Sequence, residues 1–409
     1  MKKNKLLNQE NNKKLLNLIY SVGAIAIFNL VIQFLMYPFF ERRLGAENYG
    51  IALSVISLLA ITAGSCGYSV NCARLLGVEK GRTSSGDYNL ILLAMGLLCS
   101  LIGVTYLVYL GIATPIVCAL YIVLIFATML RYYGDVDFRI STNFFRYMIY
   151  YILIAVGYTV GLVAFHFSGE WMLALIVGEA AAFLYVCIRG HIFRPPFFKK
   201  TEAFPLVLSS IGFLLVSSLI ENLTLHADRI LLLAITNGTA VTTYYIASLV
   251  GKVIAMLTSP LNALIISYLV RYKGELTKKL WSVVITASLV LGGLCFLACM
   301  IVSPWLIGIL YPDNLTEVLP YLLPAILGQI FYFVSGVLMI ILLRFKGEKK
   351  QFAFNAAYAI EFFACVTVGT LLYGLSGFVW AVLIANAIRF IAATIWGFLR
   401  NKHPASLQA

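Results

Sequence analysis

The sequence predicts an all-α polytopic membrane protein. About twelve transmembrane helices are expected, in two six-helix bundles related by a pseudo-twofold axis along the membrane normal. Three observations predict it. The 409-residue chain is 61% hydrophobic and only 11% charged, whereas about a quarter of residues are charged in soluble domains. Its apolar residues fall in runs long enough for helices that cross a bilayer, about 20 residues each. Its Lys and Arg fall almost wholly in every second interval between those runs.

The spans follow in order from the runs and the charges that flank them. Span 1 (17–40) begins after Lys2, Lys3, Lys5, Lys13 and Lys14 and stops before Arg42 and Arg43. Span 2 (50–73) leads into Arg74, Lys80 and Arg82. Spans 3 and 4 (89–111, 114–132) return the chain to Arg131, Arg139 and Arg146. Spans 5 and 6 (147–167, 171–190) end at Arg189, Arg194, Lys199 and Lys200. Spans 7 and 8 (206–234, 240–269) carry Arg229 near their outer junction and lead to Arg271, Lys273, Lys278 and Lys279. Spans 9 and 10 (280–303, 319–343) precede Arg344, Lys346, Lys349 and Lys350. Spans 11 and 12 (353–373, 377–399) close with Arg400 and Lys402.

Twenty-five basic residues thus share one side and three, Arg42, Arg43 and Arg229, the other. The excess marks the cytoplasmic side and puts both termini there. A missed span would invert the pattern downstream. Span 1 is too long for a signal-peptide core and no small-residue cleavage site follows, so it is expected to be retained.

The net charge of +13 raises nucleic acid as a partner, but its placement beside spans reads as topology and contact with anionic lipid. The eight cysteines form no CxxC and no Cys/His cluster of metal spacing. No P-loop, zinc motif or nucleophile elbow is present, so neither a cofactor nor ATP hydrolysis is expected. The outer loops are too short for a catalytic domain.

The segment Arg194-Pro195-Pro196-Phe197-Phe198-Lys199-Lys200-Thr201-Glu202 divides the chain into halves, 1–200 and 201–409. A weak repeat supports this division. Leu44-Gly45-Ala46-Glu47-Asn48-Tyr49-Gly50-Ile51-Ala52 at the span 1–2 junction matches Asn237-Gly238-Thr239-Ala240-Val241-Thr242-Thr243-Tyr244-Tyr245-Ile246-Ala247 at the span 7–8 junction through Tyr-X-Ile-Ala. Six spans per half is even, so the halves share one orientation, as parallel repeats do.

The stretch from Phe28-Asn29 to Pro38, then Arg43-Leu44-Gly45-Ala46-Glu47-Asn48-Tyr49-Gly50, resembles the first two spans of bacterial Wzx-type polysaccharide flippases. These belong to the multidrug/oligosaccharidyl-lipid/polysaccharide exporter superfamily. Asp228-Arg229 with Gly238 and Tyr244 looks like the second-half counterpart, which departs at Tyr245 where the first half has Gly50. The resemblance implies alternating access between two six-helix bundles. It also implies a cargo, an undecaprenyl-pyrophosphate-linked oligosaccharide moved from the cytoplasmic to the outer leaflet of a bacterial cell membrane. Polysaccharide polymerase and glycosyltransferase neighbours follow from the same resemblance.

Five ionisable residues fall inside spans: Glu179, Glu221, Lys252, Glu361 and Arg389. Such groups cost about 2.5–3.5 kcal/mol each at mid-bilayer, so they serve function or pair with one another. With a turn near Leu375, Glu361 and Arg389 each lie fourteen residues away, about 21 Å, and are expected to be neighbours. Glu221 and Lys252 match in the same way about Asn237. Two readings follow: the pairs lock helix packing, or Lys252 and Arg389 attract the carrier pyrophosphate, for which Arg offers bidentate contact. Glu179 has no basic residue at equal depth on span 5; it is a candidate to carry a proton in a coupled cycle, beside the plainer readings that it snorkels, contacts a cavity water or stays protonated. Asp228 and Arg229 anchor span 7 or gate the outer side. Pro260 is the expected hinge.

A membrane glycan polymerase or ligase is the competing enzyme class, disfavoured by the short outer loops. A small-molecule exporter of the same superfamily is the third reading.

Overall fold

The computed structural model describes residues 2–79, 84–193, 195, 197–256, 265, 274 and 276–399. Among them there is no strand. The helices are α1 (Lys2–Val31), α2 (Tyr37–Leu59), α3 (Ser65–Glu79), α4 (Ser85–Tyr109), α5 (Pro115–Gly134), α6 (Val136–Ile140), α7 (Phe144–Ser168) and α8 (Trp171–Arg189). They continue with α9 (Phe204–Ile235), α10 (Gly238–Met256), α11 (Lys278–Leu310), α12 (Leu315–Lys346) and α13 (Glu348–Phe398). Wide π turns, Ile32–Met36 and Ala60–Gly64, join α1 to α2 and α2 to α3.

A helix satisfies its own backbone, which is what hydrocarbon demands of a spanning segment. Nine stretches of the described residues are long and apolar enough to cross a membrane. The chain is therefore a multi-pass membrane protein by length and composition. Two of the stretches, Ile19–Gly77 and Lys349–Phe398, run to 59 and 50 residues. A straight helix of about 50 residues would measure about 75 Å, against a hydrocarbon core of about 30 Å. Each therefore breaks at a glycine. Gly45 (φ 74°, ψ 164°) divides α2 and Gly374 (φ 57°) divides α13, conformations that a side chain resists. In α13 the chain doubles back: a Cβ added at Gly377 would lie 1.9 Å from the Gly369 carbonyl oxygen. Pro260 lies outside the described residues.

The exterior is apolar, with Leu101, Phe213 and Ile301 largely exposed. The interior holds Arg74, Arg131, Asp135, Glu179, Gln329, Asn386 and Arg389, all buried. This inverts the soluble pattern and suits a chain whose solvent is lipid. Small residues bring backbones together where helices cross. A Cβ on Gly161 of α7 would lie 2.4 Å from the Ala174 carbonyl oxygen of α8, the close approach that glycine permits in membrane helix pairs.

The chain forms two compact units. The first is Met1–Gly45 with Ala52–Ile230, the second Ala46–Ile51 with Leu231–Ala409. The connecting segment near residue 200 is fastened to the first unit. Asp87 accepts hydrogen bonds from the Thr201 amide (2.8 Å) and hydroxyl (2.5 Å), and Asn89 donates to the Phe197 carbonyl at 2.9 Å.

Candidate functional site

In the second unit, the α13 hairpin and α12 enclose Arg389. Its guanidinium lies 4.5 Å from the centre of the Tyr358 ring and 4.7 Å from that of Tyr332. Arg389 is only 9% exposed. Its Nε and Nη1 are buried without a hydrogen-bond partner among the described residues. Two ring faces supply about 0.5–2 kcal/mol each when water is excluded. That offsets much of the burial cost but leaves the donor hydrogens unmet. A buried guanidinium with two nitrogens lacking an acceptor has the chemistry to take an anionic or carbonyl oxygen.

The expected pairing of Glu361 with Arg389 does not form. Glu361 accepts instead from Cys365 Sγ at 3.5 Å, one turn along its own helix. The reason is register. Gly369 meets Gly377 and Tyr358 donates to Asn386 Oδ1 at 2.8 Å, so the hairpin folds about residues 372–373 and not about Leu375. That shift sets Asn355, one turn before Tyr358, across from Arg389, one turn after Asn386. The Asn355 Oδ1 is also buried without a partner.

Lys252 lies on α10 in the same unit, its Nζ 5.0 Å from the Tyr244 ring centre and 5.8 Å from that of Tyr245. The adjacent Gly251 lets α10 press on α12, where an added Cβ would lie 2.8 Å from Gln329 Cβ. Gln329 is one turn from Tyr332, so Lys252 and the Arg389 cage are served by one stretch of α12. Tyr244 also packs edge-on against Phe378 of α13 at 4.7 Å.

The second unit also contains the junction where the repeated segments meet. Glu47 caps α10, accepting from the Gly238 amide (3.0 Å), the Thr239 amide (2.8 Å) and the Thr239 hydroxyl (2.9 Å). Thr242 donates to the Ala46 carbonyl at 2.6 Å, and Tyr49 packs edge-on against Tyr245 at 6.1 Å. A carboxylate at a helix N-terminus meets unsatisfied amides and the positive end of the helix dipole. The approach requires glycine: a Cβ on Gly50 would lie 1.8 Å from the Gly238 carbonyl oxygen.

The first unit corrects the expectation for Glu179. It does have a basic partner. Arg131 Nε donates to Glu179 Oε1 at 2.8 Å, and the Tyr158 hydroxyl donates to the same oxygen at 2.7 Å. The partner is on α5, a helix that packs against α8 without following it in sequence, so matching depth along one hairpin missed it. Arg131 lies 4.1 Å from the Tyr132 ring centre and 5.1 Å from that of Phe28. Asp135, a turn further on, accepts from Arg139 (3.0 Å), Tyr151 (2.9 Å) and Asn71 (2.5 Å). Arg74 donates to Tyr133 and, at 3.1 Å, to Ser85.

Arg131 and Arg74 are thus interior groups, not loop charges. Tyr133, Tyr147, Tyr150 and Tyr151 are buried as their partners or neighbours. The density of Tyr around Arg131, Asp135 and Arg139 was the available signal. For Glu47 it was the acidic residue within the repeat.

The remaining candidates also fall in the first unit. Asp228 and Arg229 are buried near the end of α9, where Arg229 Nη1 donates to Ser57 Oγ at 3.4 Å. Asp228 Oδ1 accepts from the Arg229 amide at 2.9 Å. Glu221 is exposed on α9 beside Asn222, which donates to Ser65 Oγ at 3.0 Å. Lys252, its expected partner by depth, belongs to the second unit. Among the described residues no group of three His, Cys, Asp or Glu could hold a metal ion.

Among the described residues the chain is all-helical, with buried guanidinium groups in both units, and its fold recurs in solved structures. No protein-family model and no curated protein matches the sequence. A multidrug-resistance MATE family transporter of the MOP superfamily, in an inward-facing conformation, matches with a TM-score of 0.68 and 11% identity over 92% of this chain and 97% of that one. The lipid II flippase MurJ, in an inward closed conformation, matches with a TM-score of 0.72 and 14% identity, over 93% of this chain and 87% of that one. The Vibrio cholerae MATE transporter VcmN in its bent form matches at 0.56 and 14%, over 93% and 94%. The fold is that of the MATE and MurJ membrane transporters. These three are transporters or flippases and not enzymes.

Proposed function

We propose that the chain is a Wzx-type flippase that moves undecaprenyl-pyrophosphate-linked oligosaccharide units from the cytoplasmic to the outer leaflet by alternating access. The bacterial cell membrane, with both chain ends in the cytoplasm, is the setting that the loop charges favour. The observation that carries the reading is Arg389, a buried guanidinium whose Nε and Nη1 have no partner among the described residues. An anionic lipid head is the cargo such a group fits; a cationic drug is repelled by it. Lys252, held over Tyr244 on the same unit, adds a second positive group. A lipid II flippase shares the fold, as a lipid-linked cargo requires.

In this reading the Glu47 cap on α10 is a latch that opens and closes during the cycle. Its bonds are to backbone amides at an exposed turn, so they are replaceable by water at small cost, about 0.5–1 kcal/mol. The glycine contact beneath it gives the closed state a steric requirement. Gly50→Val forces the segments apart and is expected to reduce transport at least tenfold while the protein still folds. Glu47→Gln, which keeps one acceptor, is expected to reduce it only a few-fold.

The direct test is translocation in proteoliposomes. A lipid-linked oligosaccharide placed in one leaflet should become accessible to a glycosidase on the other side only with the protein present. Translocation of a cationic dye with no movement of the lipid-linked glycan would favour the exporter reading.

A further inference from the structure

The Arg389 cage asks for more than negative charge. Guanidinium only donates hydrogen bonds, and an amide carbonyl oxygen only accepts them. Arg389 presents two buried donor nitrogens without partners, and Asn355 presents one buried acceptor oxygen without a partner. The register fixed by the Tyr358–Asn386 hydrogen bond and the Gly369–Gly377 contact sets these two residues across from each other on the two arms of α13. They do not bond to one another, although their chemistry is complementary. The guanidinium instead lies over the rings of Tyr358 and Tyr332, and Tyr358 is itself tied to Asn386. The rings hold the guanidinium in place, and Asn355 lies across from it by register.

A bare anion would meet the arginine and leave Asn355 unmet. A neutral sugar would leave the guanidinium charge uncompensated. A ligand satisfies both when it carries an anionic group and a neighbouring hydroxyl, the first accepting from Arg389 and the second donating to Asn355.

We propose that the α13 hairpin is a subsite for a hydroxyl-bearing anion of the sugar phosphate or sugar carboxylate type. This rests on the flippase reading and narrows it: the hairpin reads the sugar end of the cargo's charged head and not charge alone. Two sources share the chemistry, the anomeric phosphate of the first sugar and a uronic acid within the glycan.

Binding to the purified full-length protein in lipid nanodiscs tests it with four probes. Sulfate is an anion without a hydroxyl, glucose carries hydroxyls without charge, and glucose 1-phosphate and glucuronate carry both. At least one of the last two should bind tenfold or more tightly than sulfate and glucose. Asn355→Leu should bring that probe to the level of sulfate without weakening sulfate itself, and Arg389→Gln should remove both. A gain confined to glucose 1-phosphate identifies the anomeric phosphate as the source; one confined to glucuronate identifies the uronate.

Equal affinity for all anions, or a gain that survives Asn355→Leu, overturns this inference and leaves the flippase reading standing. Anion binding that survives Arg389→Gln overturns this inference and removes the flippase reading's carrier site with it. Asn355→Asp guards against a variant that merely misfolds. A carboxylate across from Arg389 should close the site with an internal ion pair, abolishing binding of every anion while raising the thermal midpoint. A lowered midpoint with binding intact would show that the two residues do not face each other.

Discussion

In the first unit, Arg131 lies against Phe28 and Tyr132 and gives its Nε hydrogen to Glu179 at 2.8 Å. In the second unit, Arg389 lies against Tyr332 and Tyr358, and its Nε meets no acceptor among the described residues. Both are buried, 7% and 9% exposed, and both are wrapped by two aromatic rings. The difference is a carboxylate. Where it is present, the charge is compensated within the protein and the arginine joins helices, here α5 to α8. Where it is absent, two ring faces lie against the cation, and its Nε and Nη1 have no acceptor among the described residues. Burial and aromatic contact are therefore the same for the two arginines, and the hydrogen-bond inventory is what separates them.

The largest expected effect breaks the compensated side. Glu179→Ala strands Arg131 in the interior and is expected to cost about 3–5 kcal/mol, read as a lowered midpoint of thermal unfolding in detergent. Arg389→Gln removes a cation that has no carboxylate partner; the lost ring contacts are offset by the relieved burial of charge, so stability should shift by less than about 1 kcal/mol. Equal losses from the two variants would erase the distinction.

Replacing both members of the first pair, Arg131→Met with Glu179→Leu, should return stability to within about 1–2 kcal/mol of the parent, because buried pairs roughly break even against apolar residues. A double variant as damaged as Glu179→Ala would mean that Arg131 does something beyond joining helices.

The rings sharpen the contrast further. Tyr332→Leu is expected to cost about 2 kcal/mol, the desolvated end of the cation–π range, and Phe28→Leu about 0.5–1 kcal/mol, since Glu179 already carries the charge of Arg131. The reverse order in thermal unfolding would show that the carboxylate does not share that burden.

The helical membrane fold was legible in the apolar runs, because hydrocarbon admits few other spanning structures. Arg389 and Lys252 were legible by elimination, as basic residues with no reason to flank a span. Arg131 escaped the same elimination because it sits at the end of its apolar run, where loop charge and interior charge look alike in sequence. Its partner Glu179 was out of reach for a different reason: α5 and α8 pack together without being neighbours in the chain. The Glu361 pairing failed on register, since the hairpin folds about residues 372–373 and not about Leu375, and a shift of about two residues in the turn offsets facing residues by about a full helical turn. Sequence depth is thus sound to within a turn, whereas hydrogen-bonded partnership requires better.

The proposal is that the two partnerless nitrogens of Arg389 receive the anionic head of the cargo. Its most direct test is the sidedness of lipid-linked oligosaccharide in cells that make Arg389→Gln at parental levels. The account predicts accumulation on the cytoplasmic leaflet and at least a tenfold loss of surface glycan, with the folded protein still present in the membrane. Normal surface glycan in that variant would contradict it.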